Sequence, residues 1–400
     1  MKYIVVLTDG AADYKIDALS GKTVYEEANI PNMDEFARCG KLYRVKTVPD
    51  GFKPGSDVAN LSVMGFSPKE CYTGRSPLEA ASVGVPLTDS DMCFRANLVT
   101  LSSEEEYGDK TMLDYSAGEI SSEEAAELIS YLDDNLKTDK IRFFAGTSYR
   151  HIMRWTTDER KFTLTPPHDI SDRVVGEYLP DNDVILDIMK KSEKLLKEHP
   201  VNKKRISEGK NPATSLWIWG EGTRPALTHF YDTYGKKGAV ISAVDLIKGI
   251  AACADMTVYP VDGITGTVHT NYDGKANAAI KALKDGNDLI YIHLEGPDEC
   301  GHQGDLEGKV RAVSLIDEKI IAPIRKAMEE AGEEYRFLVM PDHPTPVSIK
   351  THIADPVPAV IYESGKNLNE GASAFTESEA LRCGEFIEEG FEIMSKLLSL

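Results

Sequence analysis

Three short apolar runs, each leading to an acid, organise this chain. Residues 3–7 (Tyr-Ile-Val-Val-Leu) precede Asp9, residues 289–294 precede Asp298, and residues 337–340 precede Asp342. Runs this brief and this uniformly apolar predict strands buried on both faces, the habit of a parallel sheet covered by helices. Residues 2–8 predict a strand and 32–39 a helix. Residues 238–242 add a further strand and 275–283 a helix, and 377–400 carry the pattern of a final amphipathic helix. This alternation predicts an α/β fold with a mostly parallel sheet and helices on both faces.

A different pattern fills the middle. After the turn at residues 86–91, strand-like segments at 92–101, 141–145, 151–155 and 161–164 surround an amphipathic helix at 122–136. This block predicts an inserted α+β cap over residues 89–214, the core being 1–88 and 215–400, with residues 215–219 reopening the core. The Lys- and Glu-rich stretch 193–210 predicts solvated helix and loop, and its lysines receive no catalytic role.

Four hundred residues suit two domains better than one. With 45 basic and 65 acidic residues the formal charge is −20, which argues against a nucleic acid or an anionic membrane as partner. No apolar stretch approaches the roughly 18 residues of a membrane span, and the N-terminus enters a strand directly, so a cytoplasmic enzyme is expected. The six cysteines show no CxxC spacing and predict reduced thiols, Cys300 among them as an incidental neighbour of better ligands. Nothing in the pattern fixes the oligomeric state.

The candidate chemistry sits at the strand ends. Open parallel sheets bind ligands beyond the carboxyl ends of their strands. There the chain places Asp9, the motif Asp298-Glu299-Cys300-Gly301-His302, the pair Asp342-His343 and, nine residues on, His352. Any one of these acids could be a helix N-cap. Together, carboxylates mixed with imidazoles suit hard and borderline divalent metals, and a metal pair about 4 Å apart can clamp both the attacking and the leaving oxygen of phosphoryl transfer. Ser56, in Lys53-Pro54-Gly55-Ser56-Asp57, follows a loop and opens a helical pattern. A serine there is often only an N-cap, yet the same position favours bound phosphate, and two metal ions would activate a hydroxyl that is otherwise a weak nucleophile.

The order Asp9, Gly55-Ser56, Asp298 with His302, Asp342-His343, His352 resembles the alkaline phosphatase superfamily, in particular its cofactor-independent phosphoglycerate mutases of the archaeal type. Segments 73–81, 94–99, 149–151, 165–169 and 263–266 match as well, so the likeness spans nearly the whole chain. The resemblance implies that Asp298, His302 and His352 hold one metal and that Asp9, Ser56, Asp342 and His343 hold the other. It further implies a phosphoserine at Ser56 and interconversion of 3-phosphoglycerate and 2-phosphoglycerate. Asp169 matches a position expected to handle the glycerate hydroxyl proton. Manganese or magnesium suits the oxygen-rich set, and zinc or cobalt is tolerated by its histidines.

Such a small anionic phosphorylated substrate needs cations. Arg150, with His151 beside it, Arg95 and Arg224 are the candidates, because guanidinium forks match carboxylate and phosphate oxygens. Lys248 and Lys275, both in helical patterns, are weaker ones. Closure of the cap on the core would exclude water, so that phosphate passes to a hydroxyl. The same metal set would serve a homoserine kinase-like phosphotransferase, a metal-dependent phosphatase, or a silent binding module. The chain offers no Walker A string or Gly-rich nucleotide loop, hydrolysis needs no inserted cap, and a silent module needs no complete ligand set.

Overall fold

The computed structural model describes residues 1–368 and 370–399. Among them the strands run β1 (Lys2–Thr8), β2 (Lys41–Val45), β3 (Asp91–Leu101), β4 (Met112–Asp114), β5 (Ile141–Phe144), β6 (Arg150–Thr156), β7 (Ser215–Thr223), β8 (Gly238–Ile241), β9 (Thr257–Val258), β10 (Leu289–Leu294), β11 (Tyr335–Met340), β12 (Val357–Glu363) and β13 (Glu385–Ile387). They divide between two compact units, Met1–Tyr72 with Ala226–Leu400, and Thr73–Pro225.

The first unit is built on an eight-stranded sheet of order β13-β2-β12-β11-β1-β10-β8-β9. Its centre, β11-β1-β10-β8, is parallel, while β12 runs antiparallel to both of its neighbours. β10 and β11 are buried along their whole length, as uniformly apolar strands in a helix-covered sheet must be. Register positions the chemistry here. Leu7 pairs with His293 and with Met340, so the three central strands end level and deliver Asp9, Asp298 and Asp342 to one edge.

The second unit holds a five-stranded antiparallel sheet, β4-β3-β6-β5 with β7 on the other side of β3. A continuous apolar core lies beneath it, from Phe94, Leu98 and Met153 to Leu128, Met189 and Trp217. The helix Ser122–Leu136 occupies the predicted residues, capped by the Ser121 hydroxyl.

Several expectations are corrected. Residues 215–219 do not reopen the core: β7 pairs with β3 from Met92 to Val99. The helix Ser76–Ser82 also belongs to the second unit, where the Ser76 hydroxyl donates to the Cys93 carbonyl. The second unit therefore spans residues 73–225 rather than 89–214. Residues 161–164 form no strand. Phe162 packs edge-on against Phe94, and Pro166 and Pro167, lacking N–H donors, end the segment. The expected C-terminal helix is broken into Glu377–Cys383, strand β13 and Glu392–Ser399, because residues 385–387 complete the sheet edge beside β2. Nor is the stretch 193–210 wholly solvated. Arg205 is buried and donates to the Ala117 and Asn211 carbonyls. All six cysteines are free thiols, and among the described residues no helix is long and apolar enough to cross a membrane.

Candidate metal centre

Asp9 follows β1, its N–H donating to the Leu294 carbonyl at the end of β10. Gly10, with φ of +65°, turns the chain there, and a Cβ on it would lie 2.5 Å from Asp298 Oδ1. Only glycine permits both the left-handed turn and that approach. Asp298 and His302 stand one turn apart on the helix Gly296–Gln303, which starts just past β10. Asp342 and His343 follow β11, and His352 lies in the loop leading to β12.

These side chains converge. Asp298, His343 and His352 form one group of donor atoms and Asp9, Asp342 and His343 a second, so His343 belongs to both. His302 Nε2 lies 2.9 Å from His352 Nε2 and 3.3 Å from Asp298 Oδ2. His352 Nε2 is 3.3 Å from Asp298 Oδ1. In the second group His343 Nε2 is 3.4 Å from Asp342 Oδ2 and 3.7 Å from Asp9 Oδ1. Donors bonded at about 2.0–2.2 Å to one ion stand roughly 3.0–3.5 Å apart, so this spacing suits shared metal ligation.

Electrostatics points the same way. Burial, reinforced by Asp342 and Asp298, pushes the Asp9 carboxyl well above the usual range, and its Oδ1 is buried without a hydrogen-bond partner. Burial would also raise Asp298, yet its hydrogen bonds to His302 and His352 hold it well below the usual range. The Asp298 carboxylate in turn raises His302 to about 9. Three carboxylates gathered this closely, one with an orphaned oxygen, fit a divalent cation better than any arrangement of protons.

Ser56 is the first residue of the helix Ser56–Val63, preceded by Gly55. Its hydroxyl lies 3.3 Å from His343 Nε2, so the expected nucleophile stands at the expected ligands. Four residues on, Asn60 donates to the Ser56 carbonyl and to Asp342 Oδ2, both at 2.8 Å. Tyr291 donates to Asn60 Oδ1 at 2.6 Å.

Sequence reasoning missed Asn60, Thr345 and His293. The Thr345 hydroxyl donates to Asp298 Oδ1. His293, fully buried, places Nε2 2.9 Å from Asp9 Oδ2 and Nδ1 3.3 Å from the Ser242 hydroxyl. Two signals were available: a histidine and a tyrosine two apart in an apolar strand share one face, and Asn60 is one helical turn beyond Ser56.

The other candidates make contacts of their own. Lys275 is fully buried and donates to the His293 carbonyl at 2.7 Å. Lys248 pairs with Asp245 at 3.1 Å. In the second unit, Arg95 grips Glu79 through two bonds of 2.8 and 2.9 Å and covers the Trp219 ring. The His168 ring touches both Trp219 and Tyr115, Tyr115 touches Tyr149, and Arg150 lies over Tyr149. One string of rings thus connects Arg95 with Arg150. Asp169 is exposed, 3.7 Å from His168 Nε2. His151 is buried, and burial depresses its pKa to about 3; its Nδ1 accepts from the Gly146 N–H. Arg224 is exposed, 3.4 Å from Asp89.

Known proteins resemble this chain along its whole length. Residues 37–202 match the family model described as 2,3-bisphosphoglycerate-independent phosphoglycerate mutase. The protein of that name from Methanosarcina barkeri is 50% identical over 384 residues, covering 95% of each chain. A Geobacter sulfurreducens protein named as a probable enzyme of the same kind is 45% identical over 401 residues, with each chain fully covered. Among solved structures, a Pyrococcus horikoshii protein superposes with a TM-score of 0.80 at 29% identity, over 99% of this chain and 97% of its own. The cofactor-independent phosphoglycerate mutase of Thermoplasma acidophilum shares the fold, with a TM-score of 0.64 at 22% identity over the whole of both chains.

Proposed function

We propose, on the premise that this chain belongs to the 2,3-bisphosphoglycerate-independent phosphoglycerate mutase family, that it interconverts 3-phosphoglycerate and 2-phosphoglycerate through a phosphoserine at Ser56. The observation that carries this reading is the Ser56 hydroxyl, 3.3 Å from a histidine that both donor groups share. Asp298, His302 and His352 would hold one divalent ion, and Asp9, Asp342 and His343, with the Ser56 oxygen, the other. Such ions, manganese or magnesium from the donor chemistry with zinc or cobalt as alternatives, supply Lewis acidity toward phosphoryl oxygens and lower the pKa of a serine hydroxyl.

The remaining steps belong to the chain. The Ser56 hydroxyl gives up its proton and Oγ bonds to phosphorus as the ester bond to the glycerate 3-oxygen breaks, and that oxygen takes a proton. The glycerate 2-hydroxyl then gives up its proton and bonds to the same phosphorus as the bond to Ser56 Oγ breaks, and Oγ regains a proton. Asp169 is the proposed carrier of the glycerate proton, and Arg150 the proposed fork for the glycerate carboxylate. Asn60, tied to the Ser56 carbonyl and to Asp342, fixes the nucleophile relative to its ligands. A phosphoryl group retained by the enzyme while glycerate reorients requires no bisphosphorylated cofactor. The cytoplasm, where phosphoglycerates are metabolised, is the proposed compartment.

The test is a comparison of substrates. Metal-loaded protein should form 2-phosphoglycerate from 3-phosphoglycerate without added bisphosphoglycerate, and should not transfer phosphate from ATP to homoserine. The reverse pattern would overturn the assignment.

A further inference from the structure

One buried cation lies behind the metal donors and contacts none of them. Lys309, on the helix Leu306–Ile316, is fully buried. Its ammonium donates to Asp13 Oδ2 at 2.8 Å, to the Thr345 carbonyl at 2.7 Å and to the Ala12 carbonyl at 3.4 Å. Each partner belongs to a segment that carries donors. Ala12 and Asp13 continue the turn from Asp9, and Thr345 lies two residues beyond His343 with its hydroxyl on Asp298. The lysine helix itself follows the helix bearing Asp298 and His302.

Asp13 extends the tie. Its Oδ2 also accepts from the Val347 N–H at 3.1 Å, and its Oδ1 accepts from the Tyr14 N–H at 2.8 Å. Bridges from Ala11 and Ala12 to Pro344 join the same two loops. All three protons of the ammonium are thus engaged, and both Asp13 oxygens hold backbone in place. A surface ion pair leaves backbone unconstrained, whereas this one fixes three chain segments at a single point.

We infer that the Lys309–Asp13 pair is a positioning device for the metal centre, holding the three strand-end segments in register so that donors from all of them meet at ligand spacing. The inference rests on the two-metal reading above. Supporting groups behind metal ligands commonly change metal affinity by about 10–100-fold when removed.

The experiment uses the full-length chain, stripped by a chelator and titrated with cobalt(II), read by calorimetry and by visible absorption, which reports coordination geometry. Wild-type protein should bind two equivalents. Lys309→Met combined with Asp13→Leu removes both charges, so that no buried charge is left unpaired. It should weaken cobalt binding by about 10-fold or more and alter the absorption bands. Asp13→Asn, nearly isosteric, keeps an amide at the same place but leaves the Lys309 ammonium without its countercharge, so it should lower the melting temperature and, in protein confirmed folded by circular dichroism, weaken binding several-fold. The pair of buried Arg336 and half-buried Glu363 (2.9 Å), on β11 and β12, is the control. Arg336→Met with Glu363→Leu should change the melting temperature and leave the cobalt spectrum intact. Wild-type affinity and spectrum in Asp13→Asn, or a spectral change equal to that of the control pair, would overturn the inference. Failure of wild-type protein to bind two ions would instead overturn the metal reading on which it stands.

Discussion

His343 Nε2 lies 3.3 Å from the Ser56 hydroxyl and 3.4 Å from Asp342 Oδ2, while His343 also stands in the donor group of Asp298 and His352. One imidazole therefore borders Ser56 and both groups of donor atoms. His343→Ala and His302→Ala should each lose one equivalent of metal, and only His343→Ala should also disturb Ser56. Metal content after gel filtration checks the count. Loss of both equivalents from His343→Ala would show that its imidazole serves both ions.

Asn60 links Ser56 to Asp342 through its amide and receives the Tyr291 hydroxyl. Asn60→Ala leaves a buried carboxylate oxygen and a buried phenol short of a partner, at a cost of about 1–3 kcal/mol in stability. Activity should fall about 10–100-fold as well, because an outer partner of a ligand is lost. Denaturant melts and turnover measured on one preparation check both figures, and unchanged turnover would remove Asn60 from the site.

Chelation should destabilise the first unit. An ion bound only by the folded state at 100 times its Kd contributes about 2.7 kcal/mol. Its removal leaves Asp9 buried beside Asp342 and Asp298, the neighbours that drive its carboxyl upward after burial itself. Thermal melting with and without EDTA should show a clear drop in Tm, reversed by excess metal. A Tm indifferent to EDTA would mean that the carboxylates are accommodated without ions.

Much of the candidate metal centre's clustering was legible because its residues follow apolar strands, and a parallel sheet with level strand ends brings such residues together. Asp9, Asp298 and Asp342 were read from that rule, and Ser56 from the loop-to-helix change at Gly55. The second unit was less legible. Whether residues 215–219 join one sheet or another depends on pairing with β3 across more than a hundred residues, which local pattern does not encode. The final helix was misread because Gly384 and the sheet edge outweighed an amphipathic period. Asn60 and His293 escaped notice because a polar residue on a buried face has meaning only through its partner.

Arg150 separates a mutase from a hydrolase. If its guanidinium holds glycerate, Arg150→Ala should depress mutase turnover far more than hydrolysis of a small generic phosphate ester, which lacks the carboxylate. Arg150 is exposed, so loss of its charge-assisted hydrogen bonds to the glycerate carboxylate should cost about 1.5–3 kcal/mol in the affected step. Equal losses in both assays would make Arg150 a support for the second unit, where it lies over Tyr149.

The covalent step through Ser56 is the centre of the account. Metal-loaded enzyme incubated with 3-phosphoglycerate labelled in its phosphate, quenched in acid and mapped by peptide mass spectrometry, should carry that phosphate on Ser56. Ser56→Ala should carry none and should lose at least about a thousandfold in turnover. Turnover retained by Ser56→Ala, or labelled phosphate found on another residue, would contradict the account.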